Sequence, residues 1–235
     1  TDYAETNLGA GLREGANELI AAVDATNVVT GVYWKNIQQL NPDKSAVFGT
    51  ESVRQLDNNH SELVDVLFDG VADYLILDRK TEAWCSFLAA VSGSPDLYRS
   101  NRDLLVMDQG SGSIEIALGR LSHRNIELID YQGYRLGTQP LMTEFEKCNY
   151  DIYRLLSRLR TRIRRYKLIA AKPSTQTILL GSAPTKLAWL QVPKKTGLDR
   201  YNPSRVNGVR SSLEIVGKLI DNTAEHPETM RRIVD

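Results

Sequence analysis

Asp108, Gly110, Ser111, Gly112, Ser113 and Glu115 fall within eight residues, between two apolar stretches. Carboxylates on both sides of a small-residue turn suit the handling of a phosphate and its divalent cation. Glycine allows positive φ and close backbone approach to a ligand. Successive amides in such a turn form an anion-binding concavity. A carboxylate at a strand end can hold Mg²⁺ directly or through water. Asp108 is therefore a candidate metal ligand, and Glu115 could orient metal or water. The Gly110–Ser113 amides and the Ser113 hydroxyl are a candidate phosphate cradle. An ordinary hairpin with a Gly/Ser turn has the same local pattern, and these residues alone do not separate the two.

The elements around this turn read as strands near Leu104–Asp108, Ser113–Leu118 and Asn125–Tyr131, with a shorter one near Tyr134–Leu136. A long helix is expected over Gln139–Lys167. A strand at Thr177–Leu180 meets Gly181, and a helix follows through Leu190. Upstream, the apolar spacing predicts helices over Leu12–Ala25, Ser52–Phe68 and Lys80–Val91, and strands at Ala46–Phe48 and Tyr74–Leu77. Residues 94–102 read as a connection after the Ser92-Gly93-Ser94-Pro95 punctuation. Lys194–Pro203 reads as a polar loop, and helices at Ser211–Asn222 and Pro227–Val234 complete the pattern. Strands and helices mixed in this way indicate an α/β protein.

Bulk properties narrow the classes. The 235 residues are enough for one large domain or two small ones, and 42% hydrophobic with 25% charged is an ordinary globular composition. Lys+Arg and Asp+Glu both number 29, so global charge predicts no polyanion partner and any attraction must be local. Cys85 and Cys148 form no Cys-x-x-Cys pair, which fits a reduced, cytoplasmic setting. His60, His123 and His226 are scattered, without zinc spacing. No apolar run has the length of a membrane span.

Several segments resemble, in order, the exopolyphosphatase / guanosine pentaphosphate phosphohydrolase (Ppx/GppA) family. Asp108–Ile116 is similar to its Asp-Ile-Gly-Gly-Gly-Ser-Thr-Glu-Leu loop. Phe48-Gly49-Thr50-Glu51-Ser52-Val53-Arg54, with Asn58-Asn59 following, resembles its Ala-Thr-x-Ala-x-Arg segment. Thr81-Glu82-Ala83 with Phe87-Leu88 resembles its Glu-Glu-Ala helix. Leu136-Gly137 with Leu141-Met142-Thr143-Glu144 resembles its Leu-Gly-x-x-x-Leu-Thr-Glu segment. Leu180-Gly181-Ser182-Ala183 stands where the family has Gly-Gly-Thr, and Val206-Asn207-Gly208 resembles its Val-His-Gly.

The resemblance implies the actin-like ATPase (ribonuclease H-like) fold: mixed sheets flanked by helices, in two lobes around a cleft, here residues 1–101 and 102–235. It implies a Mg²⁺-dependent phosphoanhydride hydrolase acting on inorganic polyphosphate or guanosine pentaphosphate, and it suggests a homodimer. Glu82 would be the catalytic carboxylate that activates water; the competing reading is a first-turn glutamate stabilised by the helix dipole. Arg54 would bind phosphate or pair with a carboxylate. Gly181 would border an anion site at a helix N-terminus or allow close helix–strand packing.

Residues 154–167 hold seven basic side chains, with Arg154, Arg158, Arg162 and Arg165 at helical spacing. They read as a solvated face paired with acids elsewhere, or as a ridge for a polyphosphate chain. Nucleic acid is a weaker choice, because no aromatic residues interleave with the arginines.

Departures from the family are Ser111 for the middle glycine, Ile114 for threonine, and Ser182-Ala183 for Gly-Thr. The family's first strand and phosphate loop, Asp-x-Gly-Ser-Asn-Ser, have no counterpart here. Leu8-Gly9-Ala10-Gly11-Leu12 resembles its later Leu-Gly-x-Gly-Leu segment, and a final strand and helix are also not matched. A trimmed chain or a reduced homologue is expected. That favours a second reading, a non-catalytic homologue that binds polyphosphate or a nucleotide as a regulator. A sugar kinase or actin-like ATPase leaves the Glu82 and Val206-Asn207-Gly208 matches unexplained.

Overall fold

Alternating apolar residues along 102–122 build a long antiparallel hairpin at the centre of a four-stranded sheet. The computed structural model describes residues 6, 8–94, 97, 101–122, 125–172, 175–181 and isolated positions between 184 and 221. The expected loop at Lys194–Pro203, the Pro227–Val234 helix, Ser182-Ala183, Val206-Asn207-Gly208, His123 and His226 lie outside the described residues. By packing, the chain separates into two compact units, Thr1–Glu82 and Ala83–Asp235.

The first unit contains α1 (Leu8–Glu14), α2 (Ala16–Gln39), β1 (Val47–Gly49), α3 (Glu51–Asn59), α4 (Glu62–Leu67) and β2 (Tyr74–Ile76). β1 and β2 pair in parallel, with Phe48 opposite Leu75. Leu19, Val23, Leu56, Leu67 and Phe68 form its core. Asn27 of α2 donates from Nδ2 to the carbonyls of Val66 at 2.9 Å and Leu67 at 3.2 Å, satisfying groups that α4 leaves open at its C-terminus. The helix expected over Ser52–Phe68 is two helices. Asn58-Asn59-His60-Ser61 is a run of weak helix formers, and His60 takes non-helical φ/ψ of −150° and 58°. The helix expected over Leu12–Ala25 is instead α1 and a 24-residue α2, interrupted at the extended Gly15.

Helix α5 (Arg79–Ser92) begins at the edge of the first unit, and its residues from Ala83 onward pack into the second. The second unit holds β3 (Arg102–Gln109), β4 (Ile114–Ser122), β5 (Asn125–Tyr134), α6 (Thr138–Lys147), α7 (Ile152–Ile163) and β6 (Gln176–Gly181). Its sheet runs β5-β4-β3-β6, antiparallel except for the parallel β3–β6 pair. In place of strands expected separately at Asn125–Tyr131 and Tyr134–Leu136, one strand, β5, runs to Tyr134 and pairs with β4 across a bulge at Leu118/Gly119.

The long helix expected over Gln139–Lys167 is also two. Asn149 and Tyr150 have φ of 54° and 59°, which no helix tolerates. Asp151 then caps α7 by accepting from the Arg154 amide at 3.0 Å.

Ala83, Phe87, Ala90 and Val91 of α5 cover Leu104, Val106, Ala117 and Leu121 on one face of the sheet. Gly119 makes that contact possible. A Cβ there would stand 2.4 Å from Phe87 Cζ and 2.9 Å from the Glu127 carbonyl. Gly119→Ala is expected to cost about 1–3 kcal/mol by overpacking. Phe87→Leu in the Gly119→Ala background should recover part of that loss in urea unfolding. A change within about 0.5 kcal/mol for Gly119→Ala would mean the ring has room to move.

Candidate functional site

Two groups of side chains collect the residues singled out from the sequence. In the first unit they surround Arg54. Its Nη1 donates to Glu82 Oε2 at 2.6 Å and to the Leu77 carbonyl, and its Nη2 donates to Glu51 Oε2 at 3.0 Å. Burial disfavours the charged guanidinium. The hydrogen bonds and the charges of Glu82 and Glu51 outweigh that, so the Arg54 pKa is raised. Glu51 is only 3% exposed. It also accepts from Gln55 Nε2 at 2.9 Å and pairs with Arg79 at 3.4 Å. The guanidinium therefore engages two carboxylates, the ion-pair arrangement weighed for Arg54.

Glu82 stands in the first turn of α5, as the helix-dipole reading requires, and the Arg54 contact adds a tertiary partner. Asp78 precedes the helix and fixes its start: Oδ1 accepts from the Thr81 amide at 2.6 Å, and the carbonyl accepts from the Glu82 amide at 2.9 Å. The Thr81 bond is the main cause of a lowered Asp78 pKa. Sequence reasoning missed Glu51, Arg79 and Asp78. The Glu51/Arg54 spacing of three and the Asp78/Thr81 capping spacing were the available signals.

The second group lies at the far end of the β3–β4 hairpin. Asp108 and Glu115 are directly opposite in the ladder, so their side chains share a face and are near neighbours. Glu115 is 4% exposed. Asp108 Oδ2 accepts from the Ser86 hydroxyl at 2.6 Å, and Ser86 is itself buried on α5. Ser86 was not anticipated; its one signal is a polar residue among the apolar positions of α5. Like charges directly opposite in a ladder destabilise it, and a bound cation would relieve that. No group of three or more His, Cys, Asp or Glu side chains with metal-site geometry occurs among the described residues. The local donor set is thus two carboxylates, which fits Mg²⁺ because that ion keeps several waters.

Between these carboxylates, Gly110–Ser113 form the hairpin loop, closed by the Gly110 amide donating to the Ser113 carbonyl at 3.0 Å. The start of α6 organises the loop. The Thr138, Gln139 and Gly137 amides donate to the carbonyls of Gly110 at 3.1 Å, Ser111 at 2.9 Å and Gly112 at 3.3 Å. Those carbonyls satisfy open donors at the helix N-terminus, where no side chain caps. In a trans peptide the next N–H points opposite to the carbonyl. The Ser111, Gly112 and Ser113 amides are therefore turned away from α6, and none has a protein acceptor among the described residues. This is the row of donors an anion requires.

The positive φ expected of the loop glycines does not occur; among the described glycines only Gly70 and Gly181 have it. Ser111 consequently carries no left-handed strain in place of glycine. The glycine that the loop does require is Gly137, whose added Cβ would lie 2.4 Å from Gly112 C, Ser111 O and Ser113 N. Gly181 has φ +101°, and a Cβ there would come within 2.1 Å of the Gln109 carbonyl. Its need for glycine thus comes from the approach of β6 to β3, at the register position next to the loop.

By its likeness to solved structures, the chain has the actin-like ATPase fold. Solved structures of Ppx/GppA proteins have the same fold. The Ppx/GppA enzyme of Aquifex aeolicus is similar with a TM-score of 0.67 and 20% identity, over 92% of this chain and 69% of that one. An exopolyphosphatase-like protein gives 0.65 and 18%, over 92% and 64%. An exopolyphosphatase from Cytophaga hutchinsonii gives 0.56 and 19%, over 87% and 64%. No family model and no curated protein matches the sequence. No helix among the described residues is long and apolar enough to cross a membrane.

Proposed function

We propose that this chain is a Mg²⁺-dependent phosphoanhydride hydrolase releasing terminal phosphate from inorganic polyphosphate or guanosine pentaphosphate. The observation that carries the reading is the row of amides at Ser111–Ser113, turned away from α6 and flanked by the Asp108 and Glu115 carboxylates. Cleavage of a phosphoanhydride asks a protein mainly for positioning and neutralisation of charge. The loop amides and the Ser113 hydroxyl hold the terminal phosphate, and Asp108 and Glu115 hold Mg²⁺ or its water shell. The ion would supply charge neutralisation on the phosphate oxygens. Glu82 orients water for attack at phosphorus; the bond to the bridging oxygen breaks, and the substrate leaves one phosphate shorter. Arg54 holds Glu82 in position, and Gly181 keeps β6 close beside Gln109. A cytoplasmic setting and a homodimer belong to the same proposal.

A non-catalytic regulator that binds polyphosphate or a nucleotide is the second reading. It is favoured by the contact that already occupies Glu82, the Arg54 guanidinium at 2.6 Å. Phosphate release from long-chain polyphosphate, with Mg²⁺ and with EDTA, separates the two. Metal-dependent release is expected. Binding of polyphosphate or pentaphosphate without any release would select the regulator.

A further inference from the structure

Among the described residues, most arginines of the 154–165 stripe lack the acidic partners that a solvated, charge-paired face would provide. Arg158 pairs with Glu144 at 3.6 Å. Arg162 donates to the Tyr166 hydroxyl at 2.7 Å and to the Arg135 carbonyl at 3.3 Å. Arg160 and Arg164 have no ion pair among the described residues. One helical turn apart, they line the same wall of a cavity of about 560 Å³. Ser157 and Thr161 stand on that wall with them. Tyr153 and Asp221 also line the cavity, with the tyrosine hydroxyl donating to Asp221 Oδ1 at 3.2 Å.

The geometry points to a binding site for a nucleoside polyphosphate, one that shares no residue with the Gly110–Ser113 loop. Two guanidinium groups at this spacing, without an ion pair among the described residues, match a phosphate chain, because each presents several donors in a fixed fork. Phosphates alone would need nothing more than this wall. The cavity adds an aromatic ring, on which a base can stack, and a carboxylate that can accept from a ribose hydroxyl or a base N–H. Its volume is within the range of small-molecule sites. The inference does not depend on the hydrolase reading, since it uses none of the residues assigned to that chemistry.

Calorimetric titration with guanosine triphosphate tests it. The double variant Arg160→Gln, Arg164→Gln is expected to weaken one class of binding site by about tenfold or more, through loss of charge-assisted hydrogen bonds. Asp108→Asn should leave that class intact, and Arg160→Lys with Arg164→Lys should retain part of it. Thermal melts of each variant check that the fold persists. Unchanged binding in the glutamine variant overturns the proposal. So does loss of the same binding in Asp108→Asn, which would assign it to the loop. Inorganic tripolyphosphate binding this class as tightly as the nucleotide would overturn the nucleoside part of the assignment.

Discussion

Glu82→Gln is expected to lower phosphate release by about 10²–10⁴-fold, the range for a positioned acid–base group, while the protein stays folded. Glutamine keeps the side-chain length and an oxygen that can still accept from Arg54 Nη1, but it lacks the charge that would draw and orient a water. Arg54→Ala should lose stability, and with it the hold on Glu82. It takes from Glu51, 3% exposed, the charge-assisted bond at 3.0 Å. Removing one partner from a buried ion pair costs about 3 kcal/mol, read by urea unfolding. The two variants therefore distinguish chemistry from support: Glu82→Gln loses rate with its unfolding midpoint nearly unchanged, and Arg54→Ala loses stability. Release at the unsubstituted rate in Glu82→Gln would remove this residue from the reaction and leave it as a helix-terminus glutamate held by an arginine.

The elements that follow a clear local rule were legible before any coordinates. The alternation around Asp108 and Glu115 predicts two strands and a turn, and β3, β4 and the Gly110–Ser113 loop form that hairpin. Places where local rules compete were not legible. Residues 148–151 were read as the middle of a helix because apolar periodicity continues on both sides. Yet Asn149 accepts a left-handed backbone, and Asp151 offers a cap, so two shorter helices satisfy more groups than one. The loop glycines suggest positive φ, whereas their geometry is dictated by the Gly137, Thr138 and Gln139 amides at the start of α6, which pull the loop carbonyls to one side. Neither that pull nor the Ser86 contact to Asp108 leaves a trace in the residues next to the loop. Both arise from elements that meet it only in the folded chain. The arginine face shows the same limit from the other direction: spacing predicts a basic stripe, but which of its charges lack a counter-charge depends on the surfaces that pack beside it.

Gly137→Ala is expected to damage the loop strongly through a single added methyl group. The backbone there is ordinary, with φ −66° and ψ 176°, so alanine meets no conformational penalty of its own. The obstacle is entirely the loop. The new Cβ would fall 2.4 Å from three backbone atoms of Ser111, Gly112 and Ser113, none of which can rotate away as a side-chain tip would. Either the loop or the start of α6 must retreat. Retreat breaks the Gly110, Ser111 and Gly112 carbonyl bonds to α6 and turns the following amides off their common direction. A loss of about 1–3 kcal/mol in stability follows from the overpacking. If those amides stabilise charge on the transferred phosphate, their misdirection lowers release by about 10²–10³-fold, the magnitude for losing a donor of this kind. Gly110→Ala is the control within the same loop. Its Cβ would meet only the Ser113 carbonyl, at 3.7 Å, an ordinary contact. Its stability should match that of the unsubstituted protein. Normal phosphate release from a folded Gly137→Ala protein would sever the link between α6 and the loop's chemistry. A large rate loss confined to Gly137→Ala would tie phosphate handling to the direction in which α6 holds those three carbonyls.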